Sequence, residues 1–135
     1  MKVLLLCYTK FGTDQEGAGM KKILVVDDEE NICRLYREEL EEMGYEVTTV
    51  LDGSSAITAL EKARYDLVTL DMRMKGMDGI ETLRKMKEKD ASMPVIISSA
   101  YEEYKNDFGS WASDAYIVKS ADTSALRDTV KKILG

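Results

Sequence analysis

From Lys22 onward, short apolar runs rich in β-branched residues alternate with amphipathic stretches, and the cycle occurs five times. A parallel sheet produces such alternation, because the chain must be carried back by a crossover helix before each new strand can lie beside the last. Ile23 to Val26 is continuously apolar, as a strand covered on both faces requires, whereas Glu46 to Val50 alternates and suits a sheet edge. Leu67 to Leu70, Val95 to Ser98 and Ala115 to Val118 supply the other strands. The single proline, Pro94, stands at the entrance of the fourth, where its missing N–H does least harm. Between strands, Ile32, Leu35, Tyr36, Leu40 and Met43 recur at helical spacing, and Gly44 follows where a helix-ending glycine belongs. Asp52 is placed to cap a second helix that turns Ala56, Ile57, Leu60 and Ala63 inward. Ile80, Leu83 and Met86 mark a third helix and Tyr101 to Phe108 a short fourth, while Leu126, Val130, Ile133 and Leu134 form the inner stripe of a fifth. Right-handed crossovers give an α/β, doubly wound architecture, whose ligands gather at the carboxyl ends of the strands.

Composition narrows the chemistry. A chain of 135 residues with 44% apolar content carries one core, so a single domain is expected. Net charge is −6 and histidine is absent, which removes imidazole catalysis and histidine metal sites. The acidic balance, with no basic stripe, argues against a direct nucleic-acid surface. Cys7 and Cys33 have neither CxxC spacing nor a secreted-scaffold density, so reduced thiols and a cytoplasmic location are expected. The apolar run after Met1 is too short for a signal peptide or a membrane span, and no membrane partner is expected. Phe11 to Gly19 is polar and glycine-rich, and Met20 opens a cleaner segment. Residues 1–19 thus read as an appendage, either flexible, a cloning remnant, the product of an upstream start, or an added strand over Lys2 to Tyr8. Residues 20–135 form the domain.

Four of the five strands finish in polar or charged groups: Asp27-Asp28 after the first, Asp71 after the third, Ser99 after the fourth and Lys119 after the fifth. If strands one and three are neighbours, three carboxylates converge at one rim, and their repulsion calls for a cation. Oxygen-only donors favour a hard ion, and a shallow site with few carboxylates suits Mg²⁺ better than a Ca²⁺ cage. Either aspartate of the pair could by itself be a helix cap. Independent capping does not account for the pair together with Asp71 and a lysine closing the last strand. A nucleotide-binding protein would place glycines, not aspartates, after strand one to cradle phosphate.

These residues, in this order, resemble the receiver (CheY-like) domain of bacterial response regulators over residues 21–134. The motifs that carry the resemblance are Val25-Val26-Asp27-Asp28, Leu70-Asp71-Met72-Arg73-Met74 with Gly76-Met77-Asp78-Gly79, Pro94-Val95-Ile96-Ile97-Ser98-Ser99-Ala100, and Ala115-Tyr116-Ile117-Val118-Lys119. The resemblance implies a flavodoxin-like five-stranded sheet in the order 2-1-3-4-5 with five helices. It implies Asp71 as phosphoacceptor, Asp28 as a direct ligand of Mg²⁺ or Mn²⁺, Asp27 as a ligand acting mainly through water, and the Arg73 carbonyl as a further ligand. Ser99 would bond a phosphoryl oxygen, Lys119 would neutralise its charge, and Tyr116 would change rotamer with the switch. The module would not be an enzyme in the ordinary sense, but would promote its own Mg²⁺-dependent phosphorylation and dephosphorylation.

Two positions depart from the family pattern. Ser120 stands where a proline usually follows the lysine, and a cis bond before a non-proline residue costs about 3 kcal/mol, so a trans bond or a rearranged lysine loop is expected there. Lys75 likewise replaces a proline after the phosphoacceptor. Arg73 and Tyr101, two residues after Asp71 and Ser99, are bulky and imply slow loss of the phosphoryl group. Partners implied are a sensor histidine kinase or a phosphotransfer protein upstream, and an unidentified protein downstream that docks on the fourth helix, fifth strand and fifth helix. Tyr101, Tyr104, Phe108 and Trp111 form a helical stripe that either packs on the sheet or receives that partner. Two other readings remain: a phosphohydrolase of the haloacid-dehalogenase kind, which needs an Asp where Arg73 stands, and an interaction-only receiver.

Overall fold

The computed structural model describes residues 19–72, 74, 76–100 and 114–135. In chain order its elements are β1 (Lys22–Val26), α1 (Glu30–Glu42), β2 (Glu46–Val50), α2 (Gly53–Lys62), β3 (Leu67–Asp71), α3 (Gly79–Lys89), β4 (Val95–Ser99), β5 (Ala115–Val118) and α4 (Ser124–Leu134). The expected helix over Tyr101 to Phe108 and the appendage up to residue 18 lie outside the described residues, which hold four helices. The five strands pair in the order β2-β1-β3-β4-β5, and every pair is parallel. This is the predicted order, with the alternating strand β2 at one edge.

Two apolar layers sandwich the sheet. On one face, Cys33, Tyr36 and Leu40 of α1 and Leu126 and Val130 of α4 pack on Ile23, Val25, Leu67, Ile96 and Ile117. On the other, Ala56 of α2 and Leu83 and Met86 of α3 pack on Leu24, Val26, Val68, Leu70, Val95 and Ile97. Because β1 alternates between the two layers, all four of Ile23 to Val26 are buried, each worth about 1.5–3 kcal/mol against exposure. The continuous apolar run read from the sequence has this cause.

Helix ends follow the local chemistry expected of them. Asp52 accepts from the Ser55 amide at 2.7 Å and Asp78 from the Glu81 amide at 2.9 Å, so both helices of the second layer are capped by a carboxylate. Gly44 takes φ +97° just beyond α1, a backbone region open to glycine. Three details differ from the sequence reading. Ala63 is the exposed C-cap of α2 rather than an inward residue, because the helix ends before it. Ile80 is 37% exposed, its place on the inner face of α3 being taken by the buried Thr82, whose hydroxyl donates to the Asp78 carbonyl at 2.7 Å. Strands β3 and β4 run one residue further than read, so Asp71 and Ser99 end the ladder rather than follow it.

Candidate functional site

Since β1, β3, β4 and β5 run the same way, their last residues share one rim. Register fixes the rows: Val26 faces Leu70, Leu70 faces Ile97, and one step on Asp71 faces Ser98. Asp27 stays attached to the sheet beyond β1 through its amide, which donates to the Val50 carbonyl at 3.2 Å. Beyond β5 the Lys119 amide donates to the Ser99 carbonyl at 2.7 Å, which carries the lysine up to the same rim.

There the Lys119 ammonium lies 2.7 Å from Asp27 Oδ2, 3.2 Å from Asp71 Oδ1 and 3.3 Å from Glu29 Oε1. Asp27 and Asp71 are almost wholly buried, Lys119 is 9% exposed at its side chain, and Asp28 and Glu29 face solvent. One carboxylate oxygen from each of Asp27, Asp28 and Asp71 lies within 4.8 Å of the others, a spacing that a single small cation can bridge. The donors are all oxygen, which suits a hard divalent ion such as Mg²⁺ and not a thiolate- or imidazole-seeking metal.

Electrostatics at the rim are set by burial against pairing. Burial pushes the Asp27 carboxyl above its ordinary value, while the hydrogen bonds from Lys119 and the Glu29 amide pull it down. Burial also opposes the Lys119 charge, yet its hydrogen bond and attraction to Asp27 and its attraction to Asp71 outweigh that and raise its pKa. The lysine is therefore a fixed cation at any physiological pH.

Asp27 has both oxygens engaged, Oδ2 by Lys119 and Oδ1 by the Glu29 amide at 2.9 Å. The capping alternative is thus half right: Asp27 turns the chain into α1, whose N-cap, Glu29, makes no side-chain cap of its own. Below it, Cys33 donates from Sγ to the Asp27 carbonyl at 3.3 Å, and burial pushes that thiol up to about 11. On the other side of β3, Gly79 opens α3 hard against the backbone: its amide donates to the Met72 carbonyl at 3.1 Å. A Cβ there would stand 2.6 Å from both the Asp71 carbonyl oxygen and Met72 Cα. Only glycine lets α3 start this close to Asp71.

Of the residues singled out from sequence, Asp27, Asp28, Asp71 and Lys119 come together at one point. Ser99 is the buried last residue of β4, next in chain to Asp71's register partner. Tyr116 is half-buried against the Val26, Leu70 and Ile97 layer. Arg73, Lys75, Tyr101 and the stripe through Tyr104, Phe108 and Trp111 lie outside the described residues. No peptide bond among the described residues is cis, so Lys119–Ser120 is trans as expected, and the lysine still reaches Asp71.

Two features escaped the sequence reading. Glu29 is a third carboxylate on Lys119, and its position directly after the acid pair was the available sign. Tyr36, read only as a core position, meets Ser98 through a buried contact of 2.6 Å between hydroxyl oxygens, and spacing alone could not have paired residues so far apart.

Comparison with known proteins agrees with this geometry. Residues 23–131 match the response regulator receiver domain family. Sporulation initiation phosphotransferase F of Bacillus subtilis is 39% identical over 116 residues, covering 84% of this chain and 94% of that protein. The alkaline phosphatase synthesis transcriptional regulatory protein PhoP of the same organism is 36% identical, and the chain spans only 48% of its length. Among solved structures, response regulator TrrA of Thermotoga maritima in complex with Mg²⁺-BeF is 44% identical with a TM-score of 0.80, covering 84% of this chain and 99% of that one. TrrA has also been solved in complex with the histidine kinase ThkA. Five parallel strands in this order, an acidic rim that implies Mg²⁺, and a family match over most of the length have one common explanation: the chain belongs to the response regulator receiver domains.

Proposed function

We propose that this domain is a phosphoacceptor switch that takes a phosphoryl group on Asp71 from the phosphohistidine of a sensor kinase or phosphotransfer protein. The observation that carries the proposal is the position of Asp71 Oδ1, 3.2 Å from the Lys119 ammonium and within 4.8 Å of Asp27 and Asp28. In the transfer, an Asp71 oxygen forms a bond to phosphorus as the donor's P–N bond breaks, or the P–O bond when the donor is an acyl phosphate. The electron pair leaves with the donor. A bound Mg²⁺ or Mn²⁺ supplies charge neutralisation at the phosphoryl oxygens.

The chain's own groups do the rest. Asp28 is the exposed acid and ligates directly, while Asp27, committed to Lys119 and the Glu29 amide, acts mainly through water. Lys119 swaps part of its attraction from carboxylates to the incoming phosphoryl oxygens. Ser99 bonds the phosphoryl group from β4, Tyr116 follows through the Leu70 and Ile97 layer, and the Arg73 carbonyl completes the ligand set. Moving such a switch nearly fully requires about 5 kcal/mol of differential interaction.

The kinase found on TrrA supports an upstream partner of that class, and the likeness to a phosphotransferase supports exchange of a phosphoryl group with such a partner. A cytoplasmic location fits that role. Among the described residues no helix is long and apolar enough to cross a membrane.

Incubation with Mg²⁺ and acetyl phosphate, followed by intact-mass measurement, tests the proposal. One phosphoryl mass on the parent and none on Asp71→Asn is the expected result. No labelling with any small donor would leave an interaction-only receiver. Sustained turnover of a phosphate ester would favour a hydrolase.

A further inference from the structure

We infer that the Tyr36–Ser98 hydroxyl pair is a positioning device of the phosphorylation site, and that this bond sets how fast Asp71 takes up a phosphoryl group. The inference rests on the phosphoacceptor reading above. Tyr36 lies in the second turn of α1, the helix that follows directly on Asp27-Asp28-Glu29. Its phenol oxygen is 2.6 Å from Ser98 Oγ, and the two residues are 3% and 2% exposed.

Ser98 is the register partner of Asp71 in β4, and the next residue is Ser99. Register partners in a sheet project from the same face, so Ser98 stands beside the Asp71 side chain on the layer that α1 covers. The bond therefore passes over β3. It ties the helix leading out of the acid-pair loop to the strand that presents Ser99.

A phosphoryl group arriving on Asp71 must fit between those two sides. The cation-binding acids come from the α1 side and the switch hydroxyl from the β4 side, so fixing α1 to β4 fixes the gap. Apolar packing alone gives no such constraint of direction, because the hydrophobic effect is non-directional. A hydrogen bond at the short end of the O–H···O range is directional, and it strengthens in a dry interior. Burial raises the Tyr36 pKa, with the Ser98 bond working against that rise, so the phenol stays protonated and able to donate.

The test compares Tyr36→Phe, Ser98→Ala, the double variant and Ser98→Thr with the parent chain. Uptake from acetyl phosphate is followed by intact mass. BeF₃⁻ and Mg²⁺ affinities are followed by NMR titration, and Tm is measured alongside. Each hydroxyl deletion is expected to slow uptake and weaken BeF₃⁻ binding about three- to tenfold, the range of one buried neutral hydrogen bond, with Mg²⁺ affinity unchanged. The double variant should be no worse than either single one, and Ser98→Thr should recover the parent rate.

If both deletions lower Tm while uptake and BeF₃⁻ affinity stay within about twofold of the parent, the pair only packs and the inference falls. Faster uptake, or effects that multiply in the double variant, overturns it too. Should Tyr36→Phe fail to fold, Ser98→Ala breaks the same bond with a smaller change and decides alone. A parent that takes up no phosphoryl group sinks the phosphoacceptor reading along with the pair; a labelled parent with unmoved variants sinks the pair only.

Discussion

Lys119 is the residue on which the balance of the rim turns. Its side chain is 9% exposed and it neutralises two buried carboxylates at once. Lys119→Met should cost about 3 kcal/mol in urea unfolding without divalent ions, because Asp27 and Asp71 are left as uncompensated buried charges. Saturating Mg²⁺ should return part of that loss, and a variant as stable as the parent in metal-free buffer would contradict the buried ion pairs. Cys33 offers a separate check. With its thiol pushed up to about 11, only about one molecule in a thousand carries the thiolate at pH 8, and the sulfur is buried besides. Iodoacetamide at that pH should leave Cys33 unmodified in the native protein and alkylate it after unfolding, as read by peptide mass.

How far single residues were legible in the sequence depended on how local their reasons are. Asp27, Asp28, Asp71, Ser99 and Lys119 could be picked out because strand ends in a parallel sheet share a rim, so position along the chain implies position in space. Tyr36 and Ser98 could not, since their partnership depends on which helix covers which face and on a register set far from either residue. Ile80 and Ala63 went astray for the opposite reason: the helical period was read correctly, but the exact rotation and end of a short helix are decided by neighbours such as Thr82.

At the level of elements, the start of α3 is the tightest joint. Gly79 permits the helix to begin against the backbone of Asp71 and Met72, where a methyl group would meet main-chain atoms that cannot turn aside. Gly79→Ala should therefore lower stability by about 2 kcal/mol and slow phosphoryl uptake in the same variant, since one of the atoms in the way is the carbonyl oxygen of Asp71, the proposed phosphoacceptor. Asp78→Ala, which removes only the carboxylate cap on the Glu81 amide, should cost about 1 kcal/mol and leave uptake unchanged. Urea unfolding and the mass assay separate the two. Strand identity was readable because short β-branched apolar runs recur between amphipathic stretches, whereas the strand order followed from the family resemblance and not from the runs themselves. The one-residue extension of β3 and β4 was not, because polar residues at a strand end give no sign of whether the ladder has already stopped.

For the whole molecule, cation binding and folding are linked. An ion held only by the folded rim stabilises it by RT ln(1 + [L]/Kd), about 2.7 kcal/mol at a hundredfold excess over Kd. Mg²⁺ should raise the Tm of the parent in a concentration-dependent way, and Asp28→Asn should abolish most of the rise while leaving the metal-free Tm close to the parent's, since Asp28 is exposed. An equal rise in Asp28→Asn would place the ion elsewhere.

The sheet is also a partition. Among the described residues its two sides hold separate apolar compartments, each filled from its own pair of helices and sharing no side chain across the wall. A void opened beneath α1, for instance by Leu40→Ala, cannot be refilled by material from beneath α3. Truncations on opposite sides should then sum in their stability cost, whereas two on the same side should not. Each compartment can accordingly drift in sequence on its own account, so long as the strands between them keep their footing.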